Sequence, residues 1–401
     1  MNFGFRYDRF FSEDMRRNPF AMYDQLRIAS PLVQIPPPFD AWAIFDYDGV
    51  KRVMSDHDSF SSRVPAPRHW FLFLDPPNHT KLRALISRAF TPRSIANLEP
   101  RIRKLSMELL NQSIGRGEMD LAADFSTPLP AMVIAEMIGI PMADWVRFNR
   151  WSDVILRLSY TRSGGTEAAQ ALTDFSAVTV EMSAYLAEII AQRRTEPKDD
   201  LLTRLVKAEV DNERLTQEEI LGFFQLLLLA GQETTTNLIN NAVLCLLENP
   251  DQLARLRATP ALLDSAIEEV LRYRSPFLWV MRTPRCDVEL HGQTIPAGKL
   301  VLAMIASANR DPRQFNDAAR FDITRDPNPH LAFGHGIHSC IGAALARMEA
   351  GIVLSDLFSR LKGLELASNA PWEPRKALHV QGPARLPIRF VPGQPAAVPT
   401  A

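Results

Sequence analysis

Between Thr216 and Glu248 the chain carries one long helical pattern. A capping box of Thr216 and Glu219 opens it, and Asn249-Pro250 closes it. At 1.5 Å per residue such a helix runs roughly 50 Å, long enough to cross a whole domain, so the remaining elements must be built around it. It is apolar from Leu226 to Ala230 and turns polar over Gln232 to Asn237. Unpaired polar groups in a core cost about 1–3 kcal/mol each. A polar cluster halfway along a buried helix therefore needs a reason.

Helical periodicity recurs over most of the chain. It predicts helices at Asn18–Ala29, Tyr47–Ser55, Asn78–Ala89, Ile95–Ile114, Pro128–Gly139, Asp144–Leu158, Glu167–Arg194 and Pro260–Tyr273, the last with Thr259 as N-cap and proline at the first position. Ala41–Asp46 reads as a strand, and Val288–Val301 as hairpin strands around Gly292 and Pro296-Ala297-Gly298. Ser61–Pro77 is rich in proline and aromatics and reads as a loop, and Tyr160–Gly165 as a connector broken by Gly164-Gly165. Asn309–Phe333 has little periodicity and much Asp, Pro and Asn. The fold class is mainly α with a small β region. No Gly/Ser linker, charge block or repeat marks a boundary, so a single domain over residues 1–401 is the simpler reading.

Lys plus Arg total 45 against 46 Asp plus Glu, a net charge of −1 that gives nucleic acid no basic footprint. Cys245, Cys286 and Cys340 are too few and too scattered for a disulfide framework, which fits a reducing cytoplasm. Met1–Phe10 has no apolar run of the signal-peptide kind. The longest apolar stretch, Ile220–Gly231, is interrupted by Gln225 and falls short of the roughly 20 residues a membrane span requires. A soluble cytoplasmic protein without a membrane anchor is expected.

The chemistry concentrates in Phe333-Gly334-His335-Gly336-Ile337-His338-Ser339-Cys340-Ile341-Gly342. This glycine-rich loop places one cysteine just before a helical segment, where backbone N–H groups and the helix dipole stabilise a thiolate. Three readings of Cys340 follow: an axial ligand of haem iron, a zinc ligand with His335 and His338, or an inert thiol. Zinc commonly takes ligands in spaced pairs, and the other two cysteines lack that spacing. The loop resembles F-G-x-G-x-H-x-C-x-G, the haem-binding signature of the cytochrome P450 family, with every fixed position filled. Three further motifs in the correct order extend the resemblance from about Asn18 to Phe390.

The resemblance implies the cytochrome P450 fold, in a soluble bacterial-type member. Haem b would be ligated by Cys340, with Phe333 shielding the thiolate and Gly342 completing the loop. Ala230-Gly231-Gln232-Glu233-Thr234-Thr235 resembles the family's A-G-x-[D/E]-T-[T/S] motif on the helix that crosses the haem. It implies that small Ala230 and Gly231 admit close approach, that Thr234 holds oxygen and that Glu233 relays protons. The bland alternative is that Thr234 bonds back to a carbonyl four residues earlier. His79 and Arg83, at i and i+4, match an H-x-x-x-R propionate site, with Arg282 and His338 as further contacts. Glu269 and Arg272 match E-x-x-R, whose structural third member the resemblance places at Arg320 in Ala319-Arg320-Phe321, although Ala318-Ala319 replaces the usual acidic residue and proline there.

By the same resemblance, substrate contacts come from the stretches carrying Trp70, Phe71, Phe73, Phe277, Trp279 and Val280, which imply a hydrophobic small molecule; many such residues are otherwise plain core. The reaction implied is insertion of one oxygen atom from dioxygen by hydroxylation or epoxidation. Electrons would come from NAD(P)H through a separate ferredoxin and ferredoxin reductase, docking on basic residues such as Arg88, Arg101, Arg103 and Arg347. The protein would act as a monomer. The alternatives are a peroxygenase or isomerase of the same fold and a non-catalytic haem-binding sensor.

Overall fold

The computed structural model describes residues 12–397 apart from 38–39, 65–66, 68 and 159–164. The predicted connector therefore lies outside the described residues up to position 164. The chain folds into two compact units, each assembled from separate stretches: Met1–Pro65, Asn237–Cys340 and Ser368–Leu386 in the first, and Ala66–Thr236, Ile341–Ala367 and Pro387–Ala401 in the second. The long helix runs Gln217–Glu248 and contributes to both. Its capping box is formed: Glu219 N–H donates to Thr216 Oγ1 at 3.2 Å, and Thr216 N–H to Glu219 Oε2 at 2.8 Å.

The first unit is built on a five-stranded sheet, in the order Leu32–Ile35, Ala41–Ile44, Leu300–Ala303, Val280–Pro284, Phe60–Ser61. The pairing of Leu300–Ala303 with Ala41–Ile44 is parallel and the other pairings are antiparallel. Strand alternation sorts the side chains onto two faces. Trp42, Ile44, Val301 and Ala303 enter one apolar cluster, and Ala41, Ala43, Leu302 and Met304 the other. A separate hairpin pairs Val288–Leu290 with Gln293–Ile295. It turns through His291 and Gly292, both at positive φ. The predicted Pro260–Tyr273 helix is a 3-10 turn, Pro260–Leu262, leading into an α-helix, Leu263–Tyr273, and Thr259 makes no side-chain cap.

That helix buries Glu269 and Arg272, both fully excluded from solvent. Arg272 satisfies all its donors. Nε and Nη2 reach the Glu269 carboxylate at 2.7 Å each, Nη1 reaches the carbonyls of Asn309 and Ala318, and Nη2 also reaches that of Arg320. The irregular stretch after Asn309 is thus pinned by its main chain. The third member of the cluster is Arg325, whose Nε lies 3.2 Å from Glu269 Oε2, and not Arg320, which supplies only its carbonyl while its side chain is exposed. A turn closed by Arg325 N–H on Asp322 O returns the Arg325 side chain to Glu269.

The second unit is helical, with a three-stranded antiparallel sheet of Glu365–Leu366, Pro387–Arg389 and Glu118–Asp120. Glu99–Ser113 packs on Ala343–Arg360 and on Pro128–Ile138, while Gly165–Thr195 packs on Trp145–Arg157 and Leu201–Lys207. The predicted Ile95–Ile114 helix is interrupted: Pro92–Ala96 ends, and Glu99–Ser113 restarts with Pro100 in its first turn, where a missing N–H is harmless. One helical stretch, Leu121–Ile138, is apolar and long enough to cross a bilayer by composition alone, and 67% of it is buried in the protein.

Candidate functional site

The cysteine loop belongs to the first unit. Three backbone hydrogen bonds shape it: Gly334 N–H to Leu331 O, Ser339 N–H to Gly336 O, and Cys340 N–H to Phe333 O at 2.8 Å. Gly334 and Gly336 both sit at φ +74°, which glycine alone adopts without strain. Gly336 also lies against the end of the Tyr47–Ser55 helix. A Cβ there would come within 2.9 Å of Ser55 Cα and 3.1 Å of Met54 O, so the loop rests on backbone no side chain would clear. The Asn309 side chain accepts Leu331 N–H at 2.7 Å and anchors the loop's start. At its end the Cys340 thiol is exposed, and Gly342 is the N-cap of Ala343–Arg360. His338 is half-buried. Arg282 is buried on the strand Val280–Pro284, opposite Val301. Among the described residues no group of three His, Cys, Asp or Glu side chains could hold a metal ion, so His335, His338 and Cys340 form no zinc site.

The second unit carries the other predicted residues. On the long helix Leu227, Ala230, Gly231 and Thr234 form one stripe, three and four residues apart, that the protein covers only partly. Leu226, Leu228, Gln232, Glu233 and Thr235 around it are buried. The polar cluster has local reasons: Gln232 hydrogen-bonds Ser152, and Thr236 donates to Ser126 O at 2.8 Å. Thr234 donates to Ala230 O, the back-bonded alternative, and its hydroxyl lone pairs remain as acceptors. A Cβ at Gly231 would meet Ile134 Cδ1 at 2.9 Å, so its smallness serves packing against Pro128–Ile138. On the Asn78–Ala89 helix His79 is buried beside the Phe71 ring, and Arg83 is half-buried one turn on.

The aromatic candidates divide. Trp70 and Phe71 are buried in the second unit, with Trp70 stacked on Phe73. In the first unit Trp279 is 2% exposed inside the core cluster of Phe20, Tyr23, Ile35 and Leu302, and so acts as core. Val280 packs against the opposite cluster, while Phe277 is half-buried with its ring 5.3 Å from His379. Among the basic residues, Arg101 is held by Glu136 and Arg103 by Glu99 at 2.8 Å, so neither offers an unneutralised charge; Arg88 and Arg347 are exposed.

Sequence reasoning missed Glu349. It is 2% exposed on Ala343–Arg360, its Oε2 has no hydrogen-bond partner among the described residues, and burial pushes its carboxyl up to about 8. The signal was available, because its helix neighbours Leu345, Ile352 and Val353, at i−4, i+3 and i+4, are all apolar and buried. The unfolded chain releases this proton near 4.5 and the folded chain near 8. The folded state therefore binds more protons between these values, and stability falls as pH rises through that window, by on the order of a few kcal/mol. Glu349→Gln is expected to flatten that slope, seen as unfolding midpoints that stop declining between pH 5 and 8 relative to wild type.

Each unit carries residue types that suit a haem: the first an exposed cysteine on a rigid glycine loop and buried Arg282, the second a partly uncovered helix stripe with Ala230 and Gly231, and the buried His79 and half-buried Arg83. The family profile described as Cytochrome P450 matches residues 38–259 and 260–382. "Putative cytochrome P450 YjiB" of Bacillus subtilis (strain 168) is 42% identical over 360 residues, 89% of this chain and 90% of that protein. The solved structure of cytochrome P450 CYP109Q5 from Chondromyces apiculatus aligns with TM-score 0.88 at 38% identity over 96% of this chain and 98% of its own. That of CYP109E1 from Bacillus megaterium in complex with testosterone aligns with TM-score 0.86 at 39% identity, over 93% and 99%. The chain belongs to the cytochrome P450 family. Its members bind haem b through a cysteine thiolate, and relatives are named as monooxygenases, hydroxylases and epoxidases; the chain is an enzyme of this monooxygenase class.

Proposed function

We propose that the protein inserts one oxygen atom from dioxygen into a hydrophobic small molecule, with Cys340 as the haem-iron ligand. The observation that carries the reading is the exposed Cys340 thiol at the end of a loop locked by Gly334 and Gly336. Bound haem supplies oxygen activation, and the thiolate favours O–O cleavage by donating electron density. His79, Arg83, Arg282 and His338 would hold the propionates, and Phe333 would shield the sulfur once the haem covers its exposed side. Ala230 and Gly231 leave the helix stripe low. Trp70, Phe71, Phe73 and Phe277 shape the substrate side. Electrons reach the enzyme from NAD(P)H through a separate ferredoxin and its reductase, in the cytoplasm, with the protein acting as a monomer and its two units as one functional domain.

Two residues manage protons. Glu233 is 6% exposed on the long helix, next to Thr234. As a carboxylate it takes up a proton and passes it on. Thr234, donating to Ala230 O, presents lone pairs that accept a hydrogen bond; rotation of the hydroxyl hydrogen converts it to a donor. Thr234→Ala removes both options. It is expected to keep NAD(P)H consumption while product per NAD(P)H falls about tenfold or more and peroxide rises, and Thr234→Ser is expected to restore coupling. Testosterone, the molecule in the CYP109E1 complex, is the first substrate to try, followed by a panel of apolar compounds. With isotopically labelled dioxygen the product gains one labelled oxygen. Product oxygen drawn from water or added peroxide instead would overturn the reading.

A further inference from the structure

Gln225 is the polar interruption of the apolar run Ile220–Gly231, and the chemistry above does not use it. It is 3% exposed. Its Oε1 accepts the Trp70 indole N–H at 3.1 Å, and its Nε2 donates to Thr179 Oγ1 at 2.9 Å. One amide thus ties the loop before the Phe71–Phe73 turn to the long helix and to the Gly165–Thr195 helix. A buried amide is costly unless bonded at both ends. Leucine would serve the core better at this position, so the pairing here fixes geometry.

The surroundings agree. Three residues before Gln225, a Cβ on Gly222 would lie 2.6 Å from both Cβ and the carbonyl oxygen of His69, so the loop backbone sits directly on the helix. Phe71 lies against Phe223, with ring centroids 6.2 Å apart. Trp70 is stacked on Phe73 and edge-on to Phe175, which stands one turn before Thr179 on the same helix. Three consecutive residues are therefore registered on the helix: His69 on Gly222, Trp70 on Gln225, Phe71 on Phe223.

We propose that Gln225 is a positioning residue for substrate selection: by fastening Trp70 to Thr179 it sets the placement of the Trp70–Phe73 aromatics and hence the size of molecule admitted. The inference rests on the reading that these aromatics line the substrate side. Two hydrogen bonds in series act as one latch. Breaking the first releases the indole, breaking the second frees the amide that holds it, and breaking both lets the segment lift from the helix.

The test uses holoenzyme and two ligands of haem iron, imidazole and the bulkier phenylimidazole, titrated by their Soret shifts. Gln225→Leu keeps volume and helix propensity but removes both bonds. The ratio of phenylimidazole to imidazole affinity is expected to change by about fivefold or more, with imidazole alone moving less than about twofold. Thr179→Val and Trp70→Phe should move the ratio the same way, and backbone hydrogen exchange over residues 69–74 should quicken. An unchanged ratio and unchanged exchange, even with a lowered melting temperature, would overturn the proposal and leave Gln225 a packing residue. Should Gln225→Leu fail to fold, the other two variants decide. If wild type shows neither an azole shift nor a red-shifted carbon-monoxide band, the haem reading itself has failed, and hydrogen exchange alone then decides whether the latch exists.

Discussion

Cys340→Ser is expected to abolish the strongly red-shifted Soret band that the reduced, carbon-monoxide-bound wild-type protein displays, and oxygenation of any substrate with it. The band reports sulfur donating electron density to iron, and a serine hydroxyl provides no comparable donor. The substitution is nearly isosteric. It leaves the Cys340 N–H to Phe333 O bond and the two left-handed glycines in place, so the loop keeps its shape. The propionate residues are untouched, so haem content measured independently of the band should fall far less than the band does. That separation matters, because loss of haem and band together would indicate only a damaged fold. Persistence of the band in the variant would sink the assignment of Cys340 and the mechanism built on it.

Arg272→Ala is expected to give little or no folded protein. Arg272 and Glu269 are both wholly buried, and Arg272 donates to a carboxylate and to three main-chain carbonyls. Removing one partner of a buried ion pair costs roughly 3–5 kcal/mol because the other charge remains without compensation. Whole domains are stable by only about 5–15 kcal/mol. Arg325 stays within 3.2 Å of Glu269 and softens the loss, but it cannot replace the bonds to Asn309 and Ala318. Arg272→Lys should be nearly as harmful, since an ammonium has three donors where the guanidinium uses a planar fork of five. Soluble yield and urea midpoints of the two variants measure this. A midpoint within error of wild type for either variant would mean that the coil is held by something else.

The long helix was legible because its signals are local: the Thr216–Glu219 box and the Asn249-Pro250 stop act within a few residues, and its described ends fall there. The cysteine loop was legible for the same reason, being ten contiguous residues in which Gly334 and Gly336 stand where the backbone turns left-handed. Arg320 was misassigned because the stretch around it has no periodicity. Which arginine returns to Glu269 depends on the turn from Asp322 to Arg325, and a short pattern around Arg320 carries no information about that turn. Trp279 was misread because a pocket wall and a core want the same apolar side chain, and only the packing of Phe20, Tyr23 and Leu302 around it separates them. Thr234 remained open from sequence because a helical threonine always has the carbonyl four residues back within reach.

The way Arg272 grips the coil has a consequence for variation. Its contacts with Asn309, Ala318 and Arg320 fall on peptide oxygens, which every amino acid possesses. The cation therefore addresses the path of the chain and is blind to the letters written along it. Residue 320, whose side chain is exposed, is free to drift, whereas Ala318 is held as well by its own burial in the core. For these three contacts the coil has only to bring its carbonyls together, whereas the arginine that reads them has no synonym.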